Sequence, residues 1–386
     1  QFPRRYDTPC PNFVYNKEDM KPFPESLRTI LYRLTTLLII VFILISCEPF
    51  TTSQQIEAQS ISSTDTALAQ ANHTQAPPRT PPALPAVFQS PYLNPLDTPR
   101  TYIQNPCQYL HNKWNPLSAD PGTVVMIVMF NDILMEDFDR IMEQLHEQGF
   151  EAINTKELLA FMERNVKIPQ RSVVIIQNDS QQADDLTRNY REYYDRWKWV
   201  VVNGWTSNPD APEYLWQDNI ALENEGWVDH QAQGMIPGTV LSDESSKTVI
   251  QRELENPITA FIKLYNKNPI AIIWPGGGFG MRPVEAARQL GYQLGFTANT
   301  RGPVMYNWVP LADEVDPERP TYIPEGQIND PLMTLPRYWP EQIMDAIDEV
   351  RLTGNEASAY AKANKKAELE YYDIVCADTY GPMPTP

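Results

Sequence analysis

From Thr123 onward the chain repeats one pattern, a short run of aliphatic residues followed by a stretch with apolar residues at helical spacing. Residues 123–130 read TVVMIVMF, apolar at every position after the first. A strand of that kind is stable only when both of its faces are covered. Helical periodicity follows over 137–148 and again over 155–165, before the second apolar run, RSVVII, at 171–176. The same alternation predicts helices at 183–197, 219–225, 244–265 and 283–290, each leading into a strand, at 199–203, 227–230, 271–274 and 294–297. Strands joined through helices run parallel, so the predicted fold class is α/β with a mostly parallel sheet, open or closed into a barrel. Functional residues are then expected at the C-terminal ends of the strands.

Upstream lies a different kind of sequence. Residues 34–47, LTTLLIIVFILISC, are too short to cross ~30 Å of hydrocarbon comfortably and have the length of a signal-peptide core. Arg28 and Arg33 precede the run and no Lys or Arg follows until Arg79, which places the N-terminus in the cytoplasm and everything after Cys47 outside. Two readings stay open. Leu44-Ile45-Ser46-Cys47 resembles a bacterial lipobox, with Cys47 acylated; alternatively the segment is a retained anchor that extends back through Ile30 and Leu31. Either way the expectation is a membrane-anchored protein on the extracytoplasmic side, at a bacterial cell surface or in a periplasm. The predicted organisation is an n-region at 1–28, a hydrophobic signal or anchor at 29–47, a disordered Ser/Thr/Pro-rich linker at 48–105, a folded domain at 106–340 and a helical tail at 341–386.

With 49 acidic against 31 basic residues the formal charge is −18, which repels phosphate backbones and argues against a nucleic-acid partner. The four cysteines include no C-x-x-C pair. Cys107 and Cys376 flank the domain, so they either close a disulfide in an oxidising compartment or stay as two buried thiols.

The strand ends carry four motifs in order: VVIIQNDS at 173–180, GWVDHQAQG at 226–234, IIWPGGGFG at 272–280 and AARQLGYQLGFT at 286–297. This series resembles the polysaccharide deacetylases (the NodB-homology domain), and it implies the (β/α) barrel-like sheet of that family. The resemblance implies a base and a metal-binding aspartate in the first motif, two metal-binding histidines in the second and a substrate-groove turn in the third. The metal ligands then fall on Asp179 and His230, and the base position on Asn178, a carboxamide that takes no proton near neutral pH. The second histidine falls on Gly234, with Gln233 beside it, and Phe130-Asn131 stands where many relatives have Tyr-His. The late histidine that serves as acid has no counterpart, since His230 is the last histidine in the chain.

One carboxylate and one imidazole make a poor catalytic zinc site, which normally has three protein ligands. The expectation is a degenerate member of the family that has lost its reaction and needs no cofactor. It would act as a membrane-tethered binder of cell-wall glycan or as an accessory subunit of a membrane or cell-envelope assembly. The competing reading is an active carbohydrate N-deacetylase using zinc or another divalent metal at Asp179, His230 and Gln233, with Asp229 or Asp184 as base. Trp274, Pro275 and Gly276, with Trp205 and Trp308, are the predicted groove residues, although tryptophans are more often core. Asn178-Asp179 equally suits a turn capping the next helix. Residues 301–331 read as a Pro-rich acidic stretch of little regular structure, a lid or a partner surface.

Overall fold

The structure, a computed structural model, describes residues 79–86, 88–131, 135–178, 182–317 and 323–384. Two compact units divide the chain, 1–75 and 76–386, and every element below belongs to the second. The segments read as n-region and anchor, including Cys47, and the metal-ligand candidate Asp179 lie outside the described residues. Among the described residues no helix is long and apolar enough to cross a membrane.

In chain order the elements are β1 (Asp97–Arg100), α1 (Pro106–Trp114), β2 (Val124–Phe130), α2 (Met135–Glu147), β3 (Glu151–Ala152), α3 (Thr155–Arg164), β4 (Arg171–Gln177), α4 (Ala183–Trp197) and β5 (Val201–Trp205). There follow α5 (Glu213–Glu225), β6 (Val228–Ala232), α6 (Lys247–Tyr265), β7 (Ala271–Ile273), α7 (Met281–Gln289), β8 (Leu294–Phe296), β9 (Val304–Met305), β10 (Val309–Ala312), α8 (Glu325–Ile328), α9 (Pro340–Tyr371) and α10 (Ala377–Tyr380). Local signals account for several boundaries. Asn154 and Glu157 form a capping box at the start of α3, and Asn165 ends that helix in the left-handed conformation, φ 55°. Pro106 opens α1 behind the Asn105 cap, and Gly226 ends α5 at φ 81°.

The sheet runs β8-β7-β6-β5-β4-β2-β9, parallel from β8 to β2, with the short β9 antiparallel against the start of β2. It curls until residues 335–338 bridge its two sides. Leu335 exchanges backbone bonds with β8, donating to Gly295 O at 2.8 Å and accepting from Thr297 N at 2.9 Å. Tyr338 does the same with β2, donating to Ile127 O at 2.8 Å and accepting from Met129 N at 3.0 Å. Gly295 makes that close approach possible, because an ideal Cβ there would press into the Met333 carbonyl and come within 2.8 Å of Trp274 Nε1.

Alternating residues sort onto two sides. Val125, Ile127, Val174, Ile176, Val202, Ile273, Phe296 and Leu335 fill the interior, whereas Val124, Met126, Val173 and Val201 pack outward with α2, α4 and α9. This two-sided burial is why the strands read as unbroken apolar runs rather than alternating ones.

Two expectations need correction. The linker read at 48–105 is too long, because residues 79–105 include β1, paired antiparallel with β10, and Phe88 packs on Trp308 at 6.0 Å. Short, Pro-rich and without periodicity, this segment is ordered by long-range pairing that composition does not reveal. Likewise 301–331 holds β9, β10 and α8, with Val309, Leu311 and Ala312 fully buried. The tail is helical, as α9 followed by the short α10. Gly354 sits where a Cβ would lie 2.9 Å from Gly122 O, so the absent side chain lets α9 rest on the start of β2.

Candidate functional site

The C-terminal ends of the strands form a mouth lined by amides and one buried guanidinium. Asn178, directly after β4, accepts from Arg337 at 2.6 Å through Oδ1 and donates to Asn131 at 2.8 Å through Nδ2. Arg337 belongs to the closing segment, is 1% exposed, and also donates to the Thr297 carbonyl after β8. The Arg337 side chain therefore ties the ends of β4 and β8 together, Asn178 extends the link to β2, and the partner at the predicted base position is a neutral amide. Gln233, after β6, is buried over Gly204 of β5, where a Cβ has no room beside it. Behind it, the wholly buried Glu253 of α6 accepts from Met235 N at 2.7 Å and Ile236 N at 3.0 Å, fixing the loop that leaves β6. The Pro275-Gly276-Gly277 turn after β7 needs positive φ at both glycines, and Val240 packs against it.

His230 is elsewhere. It shares its face of β6 with Val228 and Ala232, which pack outward into the layer between strands and helices. Its Nδ1 meets Glu223 of α5 at 2.9 Å, the Asn219 side-chain amide faces Nε2 at 2.9 Å, and the ring stacks on Tyr265 of α6 at 4.9 Å. Burial pushes the imidazole below its ordinary pKa, against the opposing pull of the Glu223 carboxylate. Burial alone would raise Glu223, but the hydrogen bond from His230 and the Lys267 ammonium hold it at about 2. The histidine thus has both ring nitrogens occupied and is fully buried.

Asp229 faces the opposite side, towards the N-terminus of α3 rather than the mouth. It accepts from the Thr155 backbone at 3.1 Å and hydroxyl at 2.5 Å, from Gln231 at 2.8 Å and from Lys267 at 3.1 Å. With four donors it is a fully engaged structural carboxylate. Asp184 is exposed in the first turn of α4, where an acid favours the helix dipole.

The three tryptophans are core. Trp205 is 0% exposed against Trp216 at 4.6 Å; Trp274 is 0% exposed and donates to Met333 O at 2.8 Å. Trp308 donates to Phe88 O at 2.8 Å beneath the segment that precedes α1. Only Gly276 of the predicted groove residues is exposed, with Pro275 buried beside it. Cys107 and Cys376 are joined by a disulfide, Cα–Cα 5.3 Å, that ties α1 to the end of the C-terminal helix. No sequence pattern marks Glu223 or Lys267, and the one signal for Arg337 is a lone charge inside the apolar run LMTLPRYW.

A zinc centre of the expected kind does not fit the described residues. His230 would have to turn from the helical face to the mouth and give up both nitrogen contacts. No group of three or more His, Cys, Asp or Glu able to hold a metal occurs among the described residues.

No protein-family model matches the chain, and no curated protein matches it. Among solved structures it is similar to the deacetylase PplD of Streptococcus pyogenes in complex with acetate, at 16% identity and a TM-score of 0.46, covering 59% of this chain and 99% of that one. A polysaccharide deacetylase from Bacillus cereus matches at 14% identity and a TM-score of 0.43, covering 58% and 69%. IcaB from Ammonifex degensii matches at 12% identity and a TM-score of 0.45, covering 60% and 98%. The likeness to polysaccharide deacetylases is one of structure, at low sequence identity.

Proposed function

We propose that this chain is a noncatalytic, glycan-binding barrel of the polysaccharide deacetylase type, held on the outer side of a membrane by its N-terminal segment. The observation that carries the reading is Asn178. The strand end where the motif order expects a proton-accepting carboxylate presents a carboxamide, locked between Arg337 at 2.6 Å and Asn131 at 2.8 Å. Neither the amide nor the guanidinium takes a proton from water near neutral pH, so deprotonation of a nucleophilic water has no acceptor at this position. Asn131 presents an exposed carboxamide at the mouth, a group suited to sugar hydroxyls and acetamides, and the order of motifs supplies the substrate class. The disulfide suits an oxidising, extracytoplasmic compartment.

The test is to mix the full chain with a hexamer of N-acetylglucosamine and follow binding by calorimetry and acetate release in the same sample. Saturable binding without acetate is expected. Acetate release that disappears in Asp179→Ala would overturn the noncatalytic reading, and absence of any binding would overturn the glycan assignment.

A further inference from the structure

At the N-terminal ends of the strands, opposite the mouth, a cavity of about 310 Å³ lies between α1, α9 and the segment that precedes α1. That volume sits at the small end of the range for ligand pockets, roughly 300–1,000 Å³. Its walls are largely apolar, among them Leu84, Phe88, Ile103, Leu110, Trp308 and Ala361.

The polar lining narrows what can enter. Glu368 is buried in the cavity wall and meets the half-buried Lys113 at 2.9 Å, while Trp114 Nε1 adds a bond to Glu368 at 2.7 Å. Their charges cancel, so a charged ligand would introduce an uncompensated charge next to a desolvated pair, which is costly. Tyr109 differs. Its ring stacks on Tyr306 at 5.7 Å and 17°, yet its hydroxyl has no hydrogen-bond partner among the described residues. Burial and the neighbouring Glu368 raise its pKa, so the hydroxyl stays protonated and able both to donate and to accept.

We propose that this cavity is a binding site for a neutral amphiphile, one or two fused rings in size, whose single hydroxyl bonds to Tyr109 while its body is buried among the apolar walls. The site is separate from the mouth and does not depend on the glycan reading.

Titration of the full chain with 1-naphthol and with naphthalene, by equilibrium dialysis, tests it. Saturable binding of one naphthol per chain is expected, roughly fivefold tighter than naphthalene for one added hydrogen bond. Tyr109→Phe keeps the ring stack and should bind the two probes equally. Ala361→Phe should fill the cavity and remove binding of both. No saturable binding to the wild-type chain would overturn the proposal, as would a naphthol preference that survives Tyr109→Phe or binding unchanged by Ala361→Phe.

Discussion

Replacing Cys107 by alanine is expected to cost the fold roughly 4–5 kcal/mol, because the bond to Cys376 closes a loop with a sequence separation of 269 residues. In the chain-entropy account, the longer the loop, the more the cross-link restricts the unfolded ensemble. Here it joins the two ends of the described fold. Cys107 also packs, partly buried, against the cluster of Leu110, Tyr372 and Cys376, so the variant loses that sulfur contact as well as a covalent tie. Urea unfolding of wild type, wild type with reductant, and Cys107→Ala measures the effect. The two perturbed samples should unfold at similar, much lower midpoints. A shift below about 1 kcal/mol would mean that the packing of α1 on α9 suffices without the bond.

Gly295→Ala is expected to cost about 3 kcal/mol, for a different reason. Gly295 carries the backbone carbonyl that receives Leu335 N, and its missing Cβ leaves space for Met333 O and Trp274 Nε1. A methyl group must push the closing segment away from β8, and the obstacle is backbone, which does not swing aside as a flexible side chain would. Displacing residues 335–338 also loosens Arg337, so Asn178 loses its partner at the mouth. Thermal melting should fall by about 5 °C for a domain of this size. A melting point within one or two degrees of wild type would show that the closing segment adds little to stability.

How much of this was legible in sequence follows from where each signal resides. The βα alternation was readable because parallel strands buried on both faces appear as continuous apolar runs, such as VVMIVMF of β2, while the helices keep their 3.6-residue periodicity. Residues 335–338 were not. Leu-Pro-Arg-Tyr has neither run nor alternation, and it becomes a barrel stave only through bonds to β8 and β2, remote in sequence. The same holds for β1 and β10, whose prolines at 99 and 310 face each other in an edge pair.

At the site, position on a strand was legible but facing was not. His230 and Asp229 are adjacent in β6, so they point to opposite sides, and a one-residue choice decides which of them sees the interior. The motif match placed His230 among metal ligands; its contacts with Glu223, Asn219 and Tyr265 put it in the helical layer. Asn178, by contrast, does reach the mouth. Its chemistry was plain from residue type, whereas Arg337 as its partner required the closed fold.

Among the described residues the mouth holds neither the donors nor the base for metal-assisted hydrolysis. Zinc content of the full chain, purified with excess zinc, dialysed and measured by elemental analysis, tests this most directly, with Asp179→Ala and His230→Ala alongside. Wild type should retain far less than one equivalent, and neither variant should change that. One equivalent of zinc that is lost in both variants would contradict the account, because it would require His230 to leave Glu223 and Asn219 and join Asp179 around the metal.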